Sequence, residues 1–455
     1  MKIIIEGAGQ VGSHLAKLLS SEGSDVTVID DDKERIQSLS LWADVATIEG
    51  PSASLPILRE AGCDKADLFI AVNPFKNQSV NIVSALLAKR LGAKRVVSRI
   101  DDEDYLSPEN KLLFKDMGLD MVFYPEKSAS DEIIDMIAHG ASSESMDFAR
   151  GKLQLGVFKL EDDSPLLDMT VADFSKTVKE GKPDADFRIV AIARGGATLI
   201  PKYNTTFKNY DCIYVICNRG SMSALEKFIG KERIDVRRVM ILGGSEVGVM
   251  VARVLAKRKI DEVKLVEIDP KRCRILSAAL PSEVNVTLGD ARNADFLKEE
   301  DMRSYQAVVA VTGNDEANIL SCVIAKKMGV PRVIAQVENL DYMRLAEEMG
   351  VDVTINKKLI TASRIFKFTL SDKVRSVRYV SGTDAEVLEY TAAPGSKITR
   401  AALKDLDFPT DAIIGGVIRG SDSFIAVGDT KIEEYDRVAV FALHGAAKEV
   451  DKMFK

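Results

Sequence analysis

The sequence repeats itself once along its length, and this repeat limits the architectures that the chain can adopt. The segment KIIIEGAGQVG at residues 2–12 recurs as RVMILGGSEVG at residues 238–248. A later segment, NIVSALLAKRLG at residues 81–92, recurs as NILSCVIAKKMG at residues 318–329. The matches keep their order at an offset of 236 residues (238 − 2) or 237 residues (318 − 81). Such a match is the signature of two homologous units.

Each unit divides into two regions of different sequence character. Residues 1–140 and 236–370 alternate short apolar runs with helical stretches, which is typical of βαβ units and a parallel sheet. The third strand of the first unit is predicted at residues 43–48. Residues 145–232 and 371–455 contain alternating apolar residues and Gly-rich turns, which indicate small α+β lobes. The predicted fold class is therefore α/β, with two tandem units that each consist of a Rossmann-like parallel-sheet N-lobe followed by a small α+β C-lobe.

A glycine-rich motif directly follows the first predicted strand and opens a helical stretch. Its candidate ligand-binding residues are Gly7, Ala8, Gly9, Gln10, Val11 and Gly12. The glycines of such a loop allow a tight turn, close approach of the backbone to a pyrophosphate and close packing of the helix on the sheet. The helix N-terminus favours the anion. Asp30 ends the second strand 18 residues beyond Gly12 (30 − 12), where an acid accepts hydrogen bonds from ribose hydroxyls and disfavours the 2′-phosphate of NADP.

The corresponding region of the second unit is less regular. Its candidate binding residues are Gly243, Ser245, Val247, Gly248, Glu267, Asp290 and Thr312. Ser245 replaces the middle glycine, and Glu267 stands where Asp30 stood. Asp290 and Thr312 follow the third and fourth strands, at the sheet edge where nucleotides bind. The second unit either binds a nucleotide or holds a degenerate, empty pocket.

Charge and hydropathy exclude several classes of function. A net charge of −7 over 455 residues argues against a nucleic-acid partner, which requires a basic face. The absence of a Lys/Arg cluster argues against direct adhesion to an anionic membrane, and no apolar run approaches the ~18 residues of a membrane span. We therefore expect no direct lipid insertion. The sequence contains no Ser/His/Asp or Cys/His arrangement for nucleophilic catalysis, and its three histidines are scattered. We expect neither an enzyme nor a metal site.

These motifs resemble those of the TrkA family, peripheral regulators of Trk potassium uptake that contain two tandem RCK (KTN) modules. The resemblance covers essentially the full chain. Besides the glycine motif, it includes VID at residues 28–30 and the strand ends AVN at residues 71–73 and AVT at residues 310–312. It implies that the Rossmann-like lobes bind NAD(H), ATP or ADP.

The resemblance also assigns individual residues. Asn73 and Pro74, after the fourth strand, join the ligand-binding candidates of the first unit, as does Arg99, whose family counterpart reaches the phosphates. The neutral Gln336 takes the place of Arg99 in the second unit, which predicts that the first unit is the tighter phosphate site. Glu6 departs from the family pattern. Its carboxylate would repel a phosphate unless its pKa is raised or a cation such as Arg99 pairs with it.

The implied function is regulatory. We expect a cytoplasmic gating subunit, peripheral at the inner face of the cell membrane, whose ligand controls potassium flux through an integral-membrane channel or transporter subunit of the Trk type. Such gating requires the ligand to bind two arrangements of the assembly with different affinity. A homo-oligomer is expected, a tetramer by the resemblance, with the apolar stripe of Ile133, Ile134 and Ile137 as part of the contact. Two alternatives stay open: an NAD-dependent dehydrogenase, against which the lack of an acid–base pair in the C-lobes argues, and a free-standing nucleotide sensor.

Overall fold

The computed structural model describes most of the chain. The described residues are 1–74, 77–138, 144–148, 151–160, 162, 164–182, 185–195, 197–218, 220–230, 234–258, 260–370, 374–379, 385–443 and 445–455. The junctions predicted near residues 140 and 371 therefore fall partly outside the described residues.

The first N-lobe is a six-stranded, fully parallel sheet between layers of helices. Its strands are β1 (Lys2–Glu6), β2 (Asp25–Asp30), β3 (Ala46–Glu49), β4 (Leu68–Ala71), β5 (Arg95–Arg99) and β6 (Met121–Phe123), in the spatial order β3-β2-β1-β4-β5-β6. Its helices are α1 (Gln10–Ser21), α2 (Lys33–Ser40), α3 (Leu55–Glu60), α4 (Gln78–Leu91), α5 (Pro108–Met117) and α6 (Pro125–Ala138). The order reverses direction between β1 and β4, and ligands bind such sheets at the carboxyl ends of the strands next to this point.

The third strand begins later than the sequence predicts. β3 starts at Ala46, whereas the predicted strand began at residue 43. The backbone nitrogen of Ala43 donates to the carbonyl of Leu39, and that of Val45 donates to the carbonyl of Ala43. Residues 43–45 therefore belong to the turn that follows α2 and not to the strand.

The second N-lobe repeats this topology. Its strands are β12 (Arg238–Leu242), β13 (Glu262–Glu267), β14 (Val284–Leu288), β15 (Ala307–Ala310), β16 (Arg332–Gln336) and β17 (Val353–Ile355), in the order β14-β13-β12-β15-β16-β17. Its helices are α9 (Glu246–Ala256), α10 (Pro270–Ala279), α11 (Ala294–Glu299), α12 (Asp315–Lys327), α13 (Leu340–Glu348) and α14 (Lys357–Phe366). The central strands of both sheets are buried on both faces, which explains their unbroken apolar runs.

The two C-lobes are five-stranded antiparallel sheets with one or two helices each. The first contains β7 (Glu144–Phe148), β8 (Leu153–Lys159), β9 (Phe187–Arg194), β10 (Ala197–Leu199), β11 (Cys212–Asn218), α7 (Val171–Gly181) and α8 (Met222–Ile229), and the second contains β18 (Val374–Tyr379), β19 (Ala385–Thr391), β20 (Ala412–Arg419), β21 (Asp422–Ile425), β22 (Arg437–Leu443) and α15 (Ala447–Phe454). The sheets share one apolar core. A Cβ on Gly415 would lie 2.2 Å from Cδ1 of Ile216, so this glycine permits their close approach. The predicted fold class is confirmed.

The compact units of the structure differ from the two halves of the sequence. One unit comprises residues 1–128 and 357–369, and the other comprises residues 129–356 and 370–455. The compact unit that contains residues 1–128 therefore also contains α14, which packs on α1. The other compact unit contains most of α6, where Nη1 of Arg332 donates to the carbonyl of Met136 at 2.9 Å.

This arrangement corrects the interpretation of the apolar stripe on α6. Ile133, Ile134 and Ile137 are all buried within the single chain. These side chains are therefore not available for a contact between subunits. Within the described part of the chain, every helix is too short or too polar to span a bilayer.

Candidate nucleotide-binding sites

The glycine loop of the first unit connects β1 to α1 and packs tightly against the sheet. Gly7 has φ +100°, and a Cβ on it would lie 2.9 Å from the backbone nitrogen of Asn73. A Cβ on Gly12 would lie 1.7 Å from the carbonyl oxygen of Gly7. Close approach therefore requires glycine at both positions, and positive φ adds a second requirement at Gly7.

Gly9 is different, because the space around it is open. A Cβ on Gly9 would meet no atom within 4 Å. Gly9 is the N-cap of α1, and no side chain caps this helix. The amides of Gln10, Val11 and Gly12 therefore form the uncapped first turn of α1, beside open space. This arrangement suits a phosphate.

Asp30 lies at the carboxyl end of β2, and its carboxylate fixes the glycine loop by accepting hydrogen bonds from backbone amides, an arrangement that we call the clamp. Its side chain is buried, and its Oδ2 accepts a hydrogen bond from the backbone nitrogen of Ala8 at 2.5 Å. Its Oδ1 accepts one from the backbone nitrogen of Asp32 at 2.8 Å. Arg35 approaches Oδ2 to 3.9 Å. The acid expected to bind a ribose is thus also a structural element of the loop, a role that its position in the sequence did not reveal.

Glu6, the last residue of β1, is fully buried directly before the glycine loop. Its Oε1 accepts a hydrogen bond from Nδ2 of Asn73 at 2.5 Å, and its Oε2 accepts one from the hydroxyl of Ser84. Burial raises the pKa of the Glu6 carboxyl to about 7; hydrogen bonds from Ser84 and Ser52 lower it, and the charge of Asp30 raises it. A raised pKa is one of the two ways in which this carboxyl could avoid repelling a phosphate, and burial of Glu6 favours it.

Arg99 is paired with other carboxylates instead. Its Nε donates to Oδ1 of Asp101 at 3.1 Å, and its Nη2 lies 3.4 Å from Oε1 of Glu126. Lys357 approaches the same oxygen of Glu126 to 3.5 Å. The guanidinium is buried at the end of β5. Arg99 is thus near the carboxyl edge of the sheet, but its charge is already compensated.

A buried asparagine that the sequence interpretation did not assign to the site joins the ends of β4 and β5. Oδ1 of Asn81 accepts from the backbone nitrogen of Asn73 at 3.0 Å, and its Nδ2 donates to the carbonyls of Asn73 and Arg99. Pro74 lies beside Asn73 and is exposed. A signal for Asn81 existed, because the repeated segment NIVSALLAKRLG begins with it.

The second unit builds the same clamp with a longer acid. Oε2 of Glu267 accepts from the backbone nitrogen of Gly244 at 2.8 Å, and Oε1 accepts from that of Asp269 at 2.8 Å. Gly243 has φ +111°, and a Cβ on it would lie 2.9 Å from the backbone nitrogen of Thr312. Both sites therefore combine a positive-φ glycine packed against the residue that follows the fourth strand with an acid that accepts from two backbone amides.

The helix N-terminus is where the two sites differ. Ser245 is the N-cap of α9, and its Oγ accepts a hydrogen bond from the backbone nitrogen of Gly248 at 3.2 Å. Arg272 donates to the carbonyl of Gly244 and lies 3.3 Å from Oε1 of Glu246. The second site thus already satisfies an amide that is uncapped in the first.

The polar residues around the second site also have partners. Asn318 accepts from the backbone nitrogen of Thr312 at 2.9 Å and donates to the carbonyl of Gln336 at 2.8 Å, as Asn81 does in the first unit. Asp290 forms a salt bridge of 2.9 Å with Arg292, and this hydrogen-bonded pairing lowers the pKa of Asp290. The side chain of Val247 is buried in the protein.

Comparisons with known proteins identify relatives of this chain. The TrkA-N domain model matches residues 3–125 and 239–357, and the TrkA-C domain model matches residues 155–230 and 387–455. The chain is 33% identical to the "Trk system potassium uptake protein TrkA homolog" of Archaeoglobus fulgidus, with 100% of both chains covered. It is 30% identical to the "Trk system potassium uptake protein TrkA" of Halomonas elongata, with 100% of this chain and 99% of the relative covered.

Two solved structures share the fold. The GsuK RCK domain superposes with a TM-score of 0.60 at 16% identity, covering 100% of this chain and 94% of that chain. The GsuK channel bound to NAD superposes with a TM-score of 0.61 at 15% identity, covering 100% of this chain and 78% of that chain. At these identities the likeness concerns the fold alone.

Proposed function

The chain belongs to the TrkA family of Trk potassium uptake proteins, and on this premise we propose that it is a nucleotide-binding, non-enzymatic regulatory subunit that controls potassium flux through an integral-membrane partner of the Trk type. It would act at the cytoplasmic face of the membrane and be held there by that partner. The ligand is NAD(H), ATP or ADP. One observation carries this proposal: a closely packed glycine loop, clamped by Asp30, that leaves open space at Gly9 beside the uncapped first turn of α1.

We propose that the binding residues are those predicted from the sequence. In the first unit, the loop residues 7–12 would cradle the phosphates, Asp30 would bind the ribose through its remaining lone pairs, and Asn73 and Pro74 would line the ligand beyond β4. The first site is the tighter phosphate site because α1 has no cap. This argument now depends on the amides of α1 rather than on Arg99, whose charge Asp101 and Glu126 compensate.

The test combines binding with transport. The full-length protein is titrated with NADH, NAD⁺, ATP and ADP by calorimetry, and potassium flux through the Trk-type membrane subunit is measured in proteoliposomes with and without each ligand. We expect micromolar binding of at least one nucleotide and a change in flux that the same nucleotide produces only when the protein is present. Failure of every nucleotide to bind, or binding without any effect on flux, would contradict the proposal. Turnover of NADH would favour a dehydrogenase instead.

We also propose that the protein assembles as a homo-oligomer, a tetramer, through its N-lobes. The first N-lobe carries exposed apolar side chains on α4 and α5, at Val80, Val83, Leu112, Leu113 and Met117. The second carries them on the equivalent helices α12 and α13, at Leu320, Leu340 and Leu345, and at Met349 directly after α13. Repetition of the pattern in both lobes favours a surface that packs against another copy.

Light scattering tests this assembly. The double variant Leu112→Asp and Leu113→Asp should lower the molar mass in solution, because charges would replace apolar contacts. Leu41→Asp is the matched control, since Leu41 is also exposed but lies outside these helices. A wild-type protein that is monomeric at micromolar concentration would contradict the proposal.

A further inference from the structure

The first nucleotide site contains a buried polar cluster that the second lacks. Its members are Glu6, Ser52, Asn73 and Ser84, which come from β1, the loop after β3, the loop after β4 and α4. Asn73 Nδ2 bonds to Glu6 and lies 3.4 Å from the Ser52 hydroxyl. The equivalent positions of the second unit are Leu242, Ala291, Thr312 and Ser321. There the acid is absent, and the serine donates instead to the carbonyl of Ala291 at 2.8 Å.

The cluster lies directly beneath the loop that would hold phosphates. Glu6 is covalently joined to Gly7, and a Cβ on Gly7 would lie 2.9 Å from both the backbone nitrogen and Oδ1 of Asn73. Asn73 is therefore the contact between the acid and the loop. A charge on Glu6 is separated from the ligand space by buried protein atoms, where charges are screened far less than in water.

The hydrogen bonds of the cluster can satisfy either protonation state of Glu6. The described contacts of the carboxyl oxygens are with neutral groups, namely the amide of Asn73 and the hydroxyls of Ser84 and Ser52. The Ser84 oxygen also lies 2.8 Å from the carbonyl of Val80. When Glu6 is ionised, the Ser84 hydroxyl donates to it. When Glu6 is protonated, Glu6 donates to Ser84 and the Ser84 hydroxyl turns to Val80.

The charged and titratable groups around Glu6 do not neutralise it. Asp30, from β2, adds a second negative charge. Cys63, which follows α3, is buried, and burial raises its thiol pKa to about 12, so it stays uncharged. Arg99, from β5, is paired with Asp101 and Glu126. A ligand phosphate placed on the loop would therefore meet an uncompensated acid whenever Glu6 is ionised.

We propose that Glu6 determines ligand specificity by charge, so that the first site favours a dinucleotide such as NAD(H) over ATP when Glu6 is ionised and loses this preference when Glu6 is protonated. This inference rests on the proposed nucleotide-binding function. The physical reason is that the pyrophosphate diester of NAD(H) carries fewer negative charges than the triphosphate of ATP. Each further negative charge on a ligand near the ionised Glu6 weakens binding of that ligand, unless Glu6 takes up a proton and the repulsion is removed.

The sign of the pH dependence follows from the pKa of Glu6. Below about pH 7 the Glu6 carboxyl is mostly neutral in the free protein, and the site should discriminate only weakly between ATP and NADH. Above about 7 the carboxyl is ionised, and ATP binding must either overcome repulsion or draw a proton to Glu6. The ratio of ATP affinity to NADH affinity should therefore fall as pH rises through neutrality.

The experiment is a calorimetric titration of the full-length protein with ATP and with NADH between about pH 6 and about pH 8.5. We expect the ratio of the two affinities to fall by about tenfold in the wild type, the effect of one unit of pKa coupling. Glu6→Gln should abolish this fall apart from the titration of the terminal phosphate of ATP itself, whose pKa is near 6. The difference between wild type and Glu6→Gln isolates the first site, since Leu242 cannot titrate.

Two further variants complete the test. Ser84→Ala removes a hydrogen bond that lowers the pKa of Glu6, so the midpoint of the fall should move to higher pH. This variant keeps the inference testable if Glu6→Gln does not fold. Asp25→Asn is the control, because it removes an exposed carboxylate at the amino end of β2, away from the loop. A wild-type ratio independent of pH, or an unchanged fall in Glu6→Gln, would overturn the inference while leaving nucleotide binding intact. Absence of binding by both ligands would overturn the proposed function instead.

Discussion

The substitution Gly9→Ser would give the first site the helix cap of the second. The two positions have the same backbone conformation: Gly9 has φ −69° and ψ −174°, and Ser245 has φ −66° and ψ 169°. Serine therefore fits at position 9 without strain, and a Cβ there meets no atom within 4 Å. The new hydroxyl should accept a hydrogen bond from the amide of Gly12, as Ser245 does from Gly248.

Stability and affinity should change in opposite directions. Serine is a better N-cap than glycine by only a few tenths of a kcal/mol, so the free energy of unfolding should rise slightly. A ligand phosphate would lose one charge-assisted hydrogen bond from the amide of Gly12, which is worth about 1.5–3 kcal/mol. The dissociation constant of the first site should therefore rise roughly ten- to hundredfold.

Calorimetry on the full-length protein measures the effect, with thermal unfolding as the check on stability. Gly220→Ser is the matched control, because Gly220 is exposed in a C-lobe and a Cβ there would meet only the side-chain oxygen of Asn218, at 3.9 Å. If Gly9→Ser keeps wild-type affinity for ATP, ADP and NADH, the amides of α1 do not bind the phosphates. The argument that the first site is the tighter one would then be wrong.

Three further predictions follow from buried or strained groups. Asp30→Ala should weaken nucleotide binding by about 1.5–3 kcal/mol and also lower the unfolding temperature, because it leaves the amide of Ala8 unpaired; unchanged affinity in calorimetry would place the ribose elsewhere. Tyr210 and Tyr435 occupy equivalent C-lobe turns with φ +64° and +69°, a strained backbone conformation for a residue other than glycine. Glycine at either position should therefore raise the free energy of unfolding by up to about 1 kcal/mol. An unchanged unfolding temperature would show that other contacts of the turn already offset this strain. Burial lowers the pKa of His14 from 6.5 to about 4, so between these pH values the unfolded state binds a proton that the folded state does not. The free energy of unfolding of the wild type should therefore decrease as the pH is lowered from about 6.5 to about 4. The same decrease in a His14→Gln protein would show that His14 is not its cause.

Local sequence was enough to predict the two parallel sheets. The strands of both N-lobes are apolar runs bounded by glycine and polar residues, and each is followed by a helix, so topology rules leave few alternatives. The glycine loop was predictable for the same reason, since the strand before it, the helix after it and the acid at Asp30 are close in sequence. Strand ends were less accurate, as residues 43–45 demonstrate, because hydrogen bonds to the preceding helix decide where β3 begins.

Features that depend on distant parts of the chain could not be predicted in this way. The assignment of Ile133, Ile134 and Ile137 to a contact between subunits was wrong, because nothing local to α6 specifies which surface covers its apolar stripe. The compensation of Arg99 also depends on Glu126, which is 27 residues away (126 − 99). The bridging role of Asn81 required knowledge that β4 and β5 are neighbours.

The two loops also show why equivalent positions cannot be compared one at a time. Asp30 and Glu267 hold the same pair of amides, although Glu267 is longer by one methylene group. Ala8 carries a Cβ beside the shorter acid, whereas a Cβ on Gly244 would lie 2.7 Å from Oε2 of Glu267. A Cβ on Gly244 would also lie 2.4 Å from Cδ1 of Leu276, so both this side chain and the longer acid occupy the space beside the glycine. Taken alone, Gly244 looks like an extra glycine for phosphate binding; taken with Glu267, it is the half of a compensating pair that preserves the clamp. The glycine content of the second loop is thus not evidence for a stronger anion site, and the proposal that the first site is tighter depends on the side-chain cap that Ser245 provides and Gly9 does not.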